Sequence, residues 1–397
     1  MHIRTILLFL DWLIVLLWTT RILAAIRELP RVPNLLDPRF AQPLPPQAQP
    51  LLSVIVPACN EEAKIEATLR ALLATEAIPL DIIAIDDRST DSTGSILDRI
   101  AAEPHPPQSR ASLNVIHITD LPPGWLGKPH ALALAARQAT TPWLLFTDAD
   151  VLFAPDALLR AINLAQAENA DHLVLFPTMI FKTVGERMMT AVFHLLGTVL
   201  SPPWRVSDPR SRDSIGIGAF NLIRAEAYRA IGGFEALRMQ VTEDLRLGVE
   251  VKRAGYRQRV AFGPGLIRLR WAEGALHFIR NVTKNFFAIF RFRVRPAIIG
   301  CAVLTIFCVA PFAGFAAPLP YRIPAAFLYL MLFLLYRCLG RMSGLSPAYF
   351  LTFPVAAALL IYALFRSVVV TLFRGGIRWR GTFYPLSELR KTAGPLR

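Results

Sequence analysis

Apolar and polar positions follow two rhythms along this chain. Four long apolar stretches, at residues 6–26, 297–316, 323–339 and 349–373, approach the roughly 20 residues that a membrane-spanning helix needs. Between the first and the second lie apolar runs of strand length, at 52–56, 82–85, 113–118 and 143–146. The first leads through Pro57-Ala58-Cys59-Asn60-Glu61-Glu62 into a helical spacing at Ile65, Leu69 and Leu72. The second ends in Asp86-Asp87, and Ser89-Thr90-Asp91 then offers helix caps. The third leads through Pro122 to Lys128 into an alanine-rich helix, and a helix at 155–167 and a strand at 172–176 follow the fourth. Strands alternating with helices at this pace predict an α/β domain whose sheet is largely parallel, with ligands at the carboxyl ends of its strands.

The next part is less regular. It holds Gly216-Ile217-Gly218-Ala219-Phe220-Asn221, a turn at Gly232-Gly233-Phe234, and Thr242-Glu243-Asp244 opening a helix. At 275–293, Phe278, Ile279, Phe286 and Phe287 mix with Arg280, Lys284, Arg291 and Arg293, as in a helix lying in the membrane interface or in a solvated basic helix. Residues 29–50 are proline-rich and aperiodic, which predicts a linker hugging the surface. The expected plan is an anchor at 1–28, that linker, a catalytic domain at 51–272, an interfacial helix at 273–296, membrane helices at 297–373 and a basic tail at 374–397.

Composition narrows the class. With 54% hydrophobic residues and a mean hydropathy of +0.42, the chain is too apolar to be wholly soluble. Its net charge of +14 comes largely from arginines flanking apolar spans, so anionic lipid headgroups fit it better than nucleic acid. The four cysteines show no metal or disulfide spacing, consistent with a reducing cytosolic face. The first stretch has the positive start and the Leu23-Ala24-Ala25 site of a signal peptide, but its length and the arginines after it favour an uncleaved anchor. One conflict stands. Three spans after a cytosolic domain would put the C-terminus outside, yet Arg374, Arg378, Arg380, Arg390 and Lys391 call for the inside. Either the proline-interrupted stretch at 297–316 does not fully cross or the tail is an exception.

The run at 143–146 ends in Thr147-Asp148-Ala149-Asp150. Two acids one residue apart at a strand end suit a ribose and a divalent cation, Mg²⁺ or Mn²⁺, although the same tripeptide is common in plain surface turns. Thr242-Glu243-Asp244 reads equally as a helix cap with acids in the first turn.

Together, SVIVPACNEE at 53–62, DDRSTDST at 86–93, PGWLGKPHALA at 123–133, TDAD at 147–150, GAFNLIRAEAYRAIGGF at 218–234 and TED at 242–244 resemble a glycosyltransferase of family 2. The resemblance covers residues 51–271. The Gly-Trp-x-Gly-Lys loop and flanking spans are most similar to membrane-bound, lipid-directed members such as hopanoid-associated, carotenoid and ceramide glycosyltransferases. It implies a GT-A nucleotide-sugar-binding domain with a mixed, mainly parallel sheet. It also implies inverting transfer of one sugar from a nucleotide-diphosphate sugar, a UDP-sugar first of all, to a lipid hydroxyl. Asp86 or Asp87 would then bind the nucleotide, with Pro57 and Glu61 shaping the same wall and Lys128 beside the pyrophosphate. Asp148 and Asp150 would serve nucleotide and metal, and Asp244 would be the base. Gly218, Glu243, Trp271 and Arg280 would lie on the acceptor side.

Processive members carry Gln-x-x-Arg-Trp after the base; here Arg268-Leu269-Arg270-Trp271 keeps the Arg-Trp pair without the glutamine, which implies a single addition. Trp379-Arg380-Gly381 resembles a Trp-basic-Gly segment of the lipid-directed members. The expected location is a bacterial inner membrane, with the catalytic domain in the cytoplasm. The alternatives are transfer to a polyprenyl phosphate, a non-catalytic nucleotide-sugar-binding scaffold, and a transporter, which the few charged residues in the spans disfavour.

Overall fold

The computed structural model describes residues 2–45, 51–75, 78–104 and 110–393. Residues 46–50 of the expected linker and 394–397 of the expected tail lie outside that set. The chain divides into two compact units. One takes in Val32–Ile180 and Pro203–Arg270, the other Met1–Arg31, Phe181–Pro202 and Trp271–Arg397.

Ten strands among the described residues belong to the first unit: β1 (Leu52–Ala58), β2 (Leu80–Asp87), β3 (Ala111–Ile118), β4 (Trp143–Phe146), β5 (Leu152–Phe153), β6 (His172–Leu175), β7 (Thr178–Met179), β8 (Asn221–Arg224), β9 (Gln258–Ala261) and β10 (Ile267–Leu269). Seven of them form one sheet in the order β3-β2-β1-β4-β8-β6-β9. The apolar runs form its interior because helices cover both faces: every residue of β1 and β4 is buried. β3, at the edge, is buried only at its two ends and partly or fully exposed between them. The expected mixed, mainly parallel sheet is present. β3, β2, β1 and β4 run parallel, β8 inserts antiparallel between β4 and β6, and β9 is parallel to β6.

This order sets up the site. Because β2, β1 and β4 point the same way, the segments after Asp87, Ala58 and Phe146 all emerge at one edge. β8 runs the other way, and its first residue, Asn221, pairs with Phe146 at the end of β4. The loop before β8 therefore reaches that same edge. A short sheet, β5-β10-β7, lies beside the large one.

The start of the expected linker is more deeply embedded than a surface strap. Leu35 N–H donates to Phe262 O at 2.7 Å, and Phe262 N–H to Pro33 O at 2.9 Å. Arg160 and Asn163, on the helix Ala157–Ala167, hold the carbonyls of Leu35 and Phe40. Phe40 is only 2% exposed.

Among the described residues, the second unit has four segments long and apolar enough to cross a membrane: Ile3–Arg31, Val294–Ala316, Leu319–Gly340 and Pro347–Phe373. The second of these is not one α-helix. It is α-helical over Val294–Cys308 and 3₁₀ over Ala310–Ala316, because Pro311 lacks the N–H that an α-helix would need there. The helix expected over 275–293 spans Ala275–Ile289. It stops because Arg291 and Phe292 take φ of 53° and 57°, left-handed values that end a helix. Its buried face is Phe278, Ile279, Val282, Phe286 and Phe287, and it packs on the helix Phe353–Phe373, where Phe287 N–H donates to Ser367 Oγ at 2.9 Å.

A helix at Val184–Leu200 was not anticipated. Thr183 and Glu186 form its capping box. The buried Glu186 also accepts from Gly274 N–H at 3.1 Å, which ties this helix to the start of Ala275–Ile289. Trp271 lies here, its ring 5.0 Å from those of Phe193 and Phe278.

Because Phe40 fills the first unit, Phe40→Ala should cost about 3 kcal/mol and lower the melting temperature of the detergent-purified protein. A surface strap would lose under about 0.5 kcal/mol, so an unchanged melting temperature contradicts the embedded reading.

Candidate active site

Asp86 and Asp87 end β2 and play different parts. Asp86 accepts from Ser89 N–H at 3.1 Å and faces His117 Nδ1 at 3.1 Å; the other nitrogen of that ring faces Asp98 at 2.9 Å. Hydrogen bonds to the two carboxylates, Asp98 first, push the His117 pKa up. Asp86 thus shapes the turn. Asp87, 3% exposed, is gripped by Arg88, with Nε 2.8 Å from Oδ1. It also lies against Gly127, where an added Cβ would stand 2.5 Å from Asp87 Oδ2.

The loop after β1 is stitched to the loop after β2. Asn60, at φ 55°, accepts from Thr90 N–H at 2.8 Å, Glu61 N–H donates to Thr93 Oγ1 at 2.8 Å, and Glu62 accepts from Ser92 N–H at 2.9 Å. Pro57 itself sits in β1, opposite Ile85. The helix after β2 begins at Thr93, later than Ser89-Thr90-Asp91 suggested. Its first N–H is taken by Asp91 Oδ1 at 3.0 Å.

Lys128 occupies the first turn of the helix Gly127–Gln138. Its ammonium lies 2.6 Å from Asp148 Oδ1 and 2.7 Å from Glu243 Oε1. Burial disfavours that charge, but the carboxylates of Asp148, Glu243 and Asp244 outweigh it and raise the Lys128 pKa. Glu243 is 3% exposed. A buried carboxylate of this kind needs a cation beside it.

Asp244, next along the helix Glu243–Arg253, turns its Oδ2 to Gly218 N–H at 2.8 Å and its Oδ1 to Leu245 N–H at 2.8 Å. Burial first, then the negative charge of Glu243, pushes its pKa up to about 6, against the pull of Lys128. The glycines of the loop before β8 allow this approach. A Cβ on Gly216 would stand 1.8 Å from Asp244 O, and one on Gly218 2.6 Å from Asp148 Oδ2. Lys128, Thr147, Gly218, Asn221, Glu243 and Asp244 line one recess.

Asp150 pairs with Lys64 Nζ at 3.0 Å. Burial and the nearby charge of Asp148 nevertheless raise its pKa. Two hard carboxylates that burden each other fit a divalent cation. Among the described residues no group of three or more His, Cys, Asp or Glu could hold one. The residues that could hold such a cation are the pair Asp148 and Asp150.

The sequence-derived residues thus fall into two sets. Asp87, Lys128, Asp148, Asp150, Gly218, Glu243 and Asp244 lie in the first unit, most of them around Lys128. Trp271 and Arg280 belong to the second unit, where Arg280 is exposed on the helix Ala275–Ile289. Sequence reasoning missed Lys64 as a partner of Asp150 and Glu243 as a partner of Lys128. No local pattern announces pairs separated by 86 residues, as Lys64 and Asp150 are.

Residues 53–232 match the model of the family described as glycosyl transferase family 2. A 4,4'-diaponeurosporenoate glycosyltransferase of Staphylococcus aureus strain MRSA252 is 25% identical over 354 residues, covering 85% of this chain and 89% of its own length. A mannosyltransferase from Pyrobaculum calidifontis, solved in complex with GDP-Man and Mn²⁺, is 21% identical with a TM-score of 0.48, covering 92% of this chain and 99% of its own. Staphylococcus aureus TarS 1-349 in complex with UDP-GlcNAc is 17% identical with a TM-score of 0.40, covering 84% and 96%.

Removing the cation at the centre should leave two carboxylates uncompensated. Lys128→Met should destabilise the protein by about 3 kcal/mol, read as a fall in melting temperature, and the double variant Lys128→Met/Glu243→Gln should recover part of it. Equal melting of wild type and Lys128→Met contradicts the central role of this ammonium.

Proposed function

We propose that this chain, a glycosyltransferase whose residues 53–232 match the family 2 model, moves one sugar, with inversion, from a UDP-sugar to the hydroxyl of a membrane lipid. The observation that carries the proposal is the Asp244 carboxylate. It is held by two backbone N–H groups beside the Lys128–Asp148 pair, with its pKa pushed up to about 6.

The donor's diphosphate is attracted by the N-terminus of the helix Gly127–Gln138 and by the Lys128 ammonium in its first turn. Asp87, on the wall against Gly127, takes the nucleotide side, whereas Asp86 is engaged by Ser89 and His117. Pro57 and Glu61 back that wall. Asp148 and Asp150 would hold a Mg²⁺ or Mn²⁺ ion, which when bound offsets the charge of the departing diphosphate.

Asp244 accepts the acceptor's hydroxyl proton as that oxygen bonds to the anomeric carbon. The bond from that carbon to the diphosphate oxygen breaks, and the diphosphate leaves with the electron pair. A pKa of about 6 keeps this base ionised at neutral pH without making it a weak one. One carboxylate suffices, because the diphosphate leaves without needing a proton. The missing glutamine before Arg270-Trp271 supports a single addition.

A second reading has an acceptor that is already ionised, such as a polyprenyl phosphate. The acceptor named for the Staphylococcus relative is a carboxylate, which favours this reading at the acceptor atom. Such an acceptor gives Asp244 no proton to take.

The membrane unit supports an arrangement with both the catalytic domain and the tail in the cytoplasm of a bacterial inner membrane. Tyr321 Oη–H donates to Arg4 O at 2.8 Å, and Trp12 and Phe327 lie 6.4 Å apart, so the helices His2–Glu28 and Leu319–Ser343 run the same way. After Gly344 the chain turns back along the second of these: Phe350 meets Phe333 and Tyr329 at 5.3 Å, and Phe353 meets Trp18 at 6.0 Å. The helix Phe353–Phe373 therefore starts partway along its neighbours. It ends where the tail packs on Ala275–Ile289, with Lys284 over the Trp379 ring at 4.2 Å and Arg390 Nε–H donating to Phe292 O at 3.1 Å. A re-entrant 345–373 segment would return the basic tail to its starting side and remove the charge conflict. This packing supports a partial crossing at 345–373 in preference to one at 297–316.

The test is release of nucleoside diphosphate by detergent-purified protein given a panel of nucleotide sugars, Mg²⁺ or Mn²⁺ and a bacterial lipid extract. Asp244→Asn should lower kcat about a thousandfold while UDP binding stays; a loss under about tenfold points to the ionised acceptor, and no turnover by the wild type points to the scaffold. Wild-type kcat should fall as pH drops through about 6, because the protonated carboxyl cannot accept a proton. Glu243→Gln removes the adjacent negative charge and should move that limb to lower pH; a limb that moves up contradicts the assignment. R380C, with the four native cysteines replaced by alanine, should react with an impermeant maleimide in inside-out vesicles and not in right-side-out ones.

A further inference from the structure

Behind the base lies a buried polar network that no step above uses. His172, in β6, is 0% exposed, and Gln258, in β9, is 1% exposed. Gln258 Nε2 lies 2.7 Å from His172 Nδ1, and His172 Nε2 lies 3.1 Å from Asn221 Oδ1. Every donor is fixed by its neighbours. Ile215 N–H donates to Gln258 Oε1 at 3.1 Å, so the amide nitrogen of Gln258 must point at His172 and at Ile215 O, 3.0 Å away. His172 Nδ1 is then the acceptor, and its Nε2–H donates to Asn221. Asn221 Nδ2–H donates onward to Ile217 O at 3.0 Å. Burial pushes the His172 pKa down to about 4, so the ring stays neutral and keeps this tautomer.

The network grips the loop before β8 from behind. It holds both backbone groups of Ile215 and the carbonyl of Ile217, on either side of Gly216. In front, that loop is pressed against Asp244: Gly216 abuts Asp244 O, and Gly218 N–H donates to Asp244 Oδ2. The helix carrying the base closes on the same segment one turn later, where an added Cβ on Gly248 would stand 2.4 Å from Ile215 O. The spacing of these bonds leaves the loop little room to shift without breaking one of them. General-base catalysis is sensitive to such a shift, because the base must stay within hydrogen-bond reach of the proton it takes.

We propose that His172 and Gln258 are positioning residues: they fix the 215–221 backbone, and through the Gly218 N–H they hold the Asp244 carboxylate in line with the acceptor. This rests on the reading of Asp244 as the base. Neither residue reaches the recess, so each acts through Asn221 and the loop. The requirement is a side chain that accepts on one end and donates on the other, which His172→Gln preserves and His172→Leu removes.

Two measurements on the full-length protein in detergent separate the possibilities. Hydrogen exchange read by mass spectrometry should show the peptide spanning 215–221 exchanging about tenfold faster in His172→Leu, with the β1 and β2 peptides unchanged. In the diphosphate-release assay, His172→Leu and Gln258→Leu should lower kcat about tenfold with the KM for the nucleotide sugar unchanged, and His172→Gln should recover most of it. A role in stability alone would lower the melting temperature and leave kcat per folded molecule intact. Unchanged exchange at 215–221 overturns the clamp whether or not a substrate has been found. Wild-type kcat in His172→Leu alongside an inactive Asp244→Asn overturns the positioning role and leaves the base assignment standing. Wild-type turnover by Asp244→Asn removes that assignment instead, while the exchange measurement still decides whether the clamp exists.

Discussion

The ammonium of Lys128 makes the site possible. Glu243 and Asp244 line one recess with Lys128, Asp148 meets the same ammonium, and carboxylates gathered this way repel each other and lose hydration. Without a cation among them, one or more would take up a proton and stop serving as an anion. Lys128 lies 2.6 Å from one and 2.7 Å from another, while the third keeps two backbone N–H donors and a raised pKa. The same cluster thus sets the Asp148 and Glu243 carboxylates against one ammonium, beside a carboxylate whose pKa is pushed up to about 6. On the proposed reading, Asp244 would serve as proton acceptor and Lys128 as the cation that attracts the donor's diphosphate.

The sheet delivers these groups to one edge. Parallel β2, β1 and β4 bring Asp87, the 59–62 loop and Asp148 to their common carboxyl end, and antiparallel β8 returns the glycine loop to the same place. Glycine at 216 and 218 then lets backbone and carboxylates come closer than any side chain would permit. The burial of β1 and β4 on both faces makes this edge rigid, so the geometry does not depend on flexible loops alone.

Much of this could be read in the chain beforehand. Strands buried on both faces show as largely apolar runs, so β1, β2 and β4 were visible and the acids after β2 and β4 followed. Three things were not. Lys64 meets Asp150, and Lys128 meets Glu243, through folding across long separations, and neither lysine carries a local mark of its partner. His172 and Gln258 look like ordinary polar breaks in two strands until β6 and β9 are seen to be neighbours. The helix Val184–Leu200 had a legible capping box at Thr183 and Glu186, but nothing local shows that 181–202 leaves the catalytic unit for the membrane unit. Element ends also moved. Helix 275–289 stops four residues early because Arg291 and Phe292 adopt left-handed backbone, a choice that arginine and phenylalanine rarely advertise.

The central claim is a single displacement assisted by one carboxylate, and its most direct record is the stereochemistry of the product. An α-linked nucleotide sugar supplied to the purified enzyme with its lipid acceptor should give a β-linked glycolipid, assigned from the anomeric proton in the NMR spectrum of the isolated product. An α-linked product would mean retention, and would contradict a mechanism in which Asp244 guides one attack from the face opposite the diphosphate.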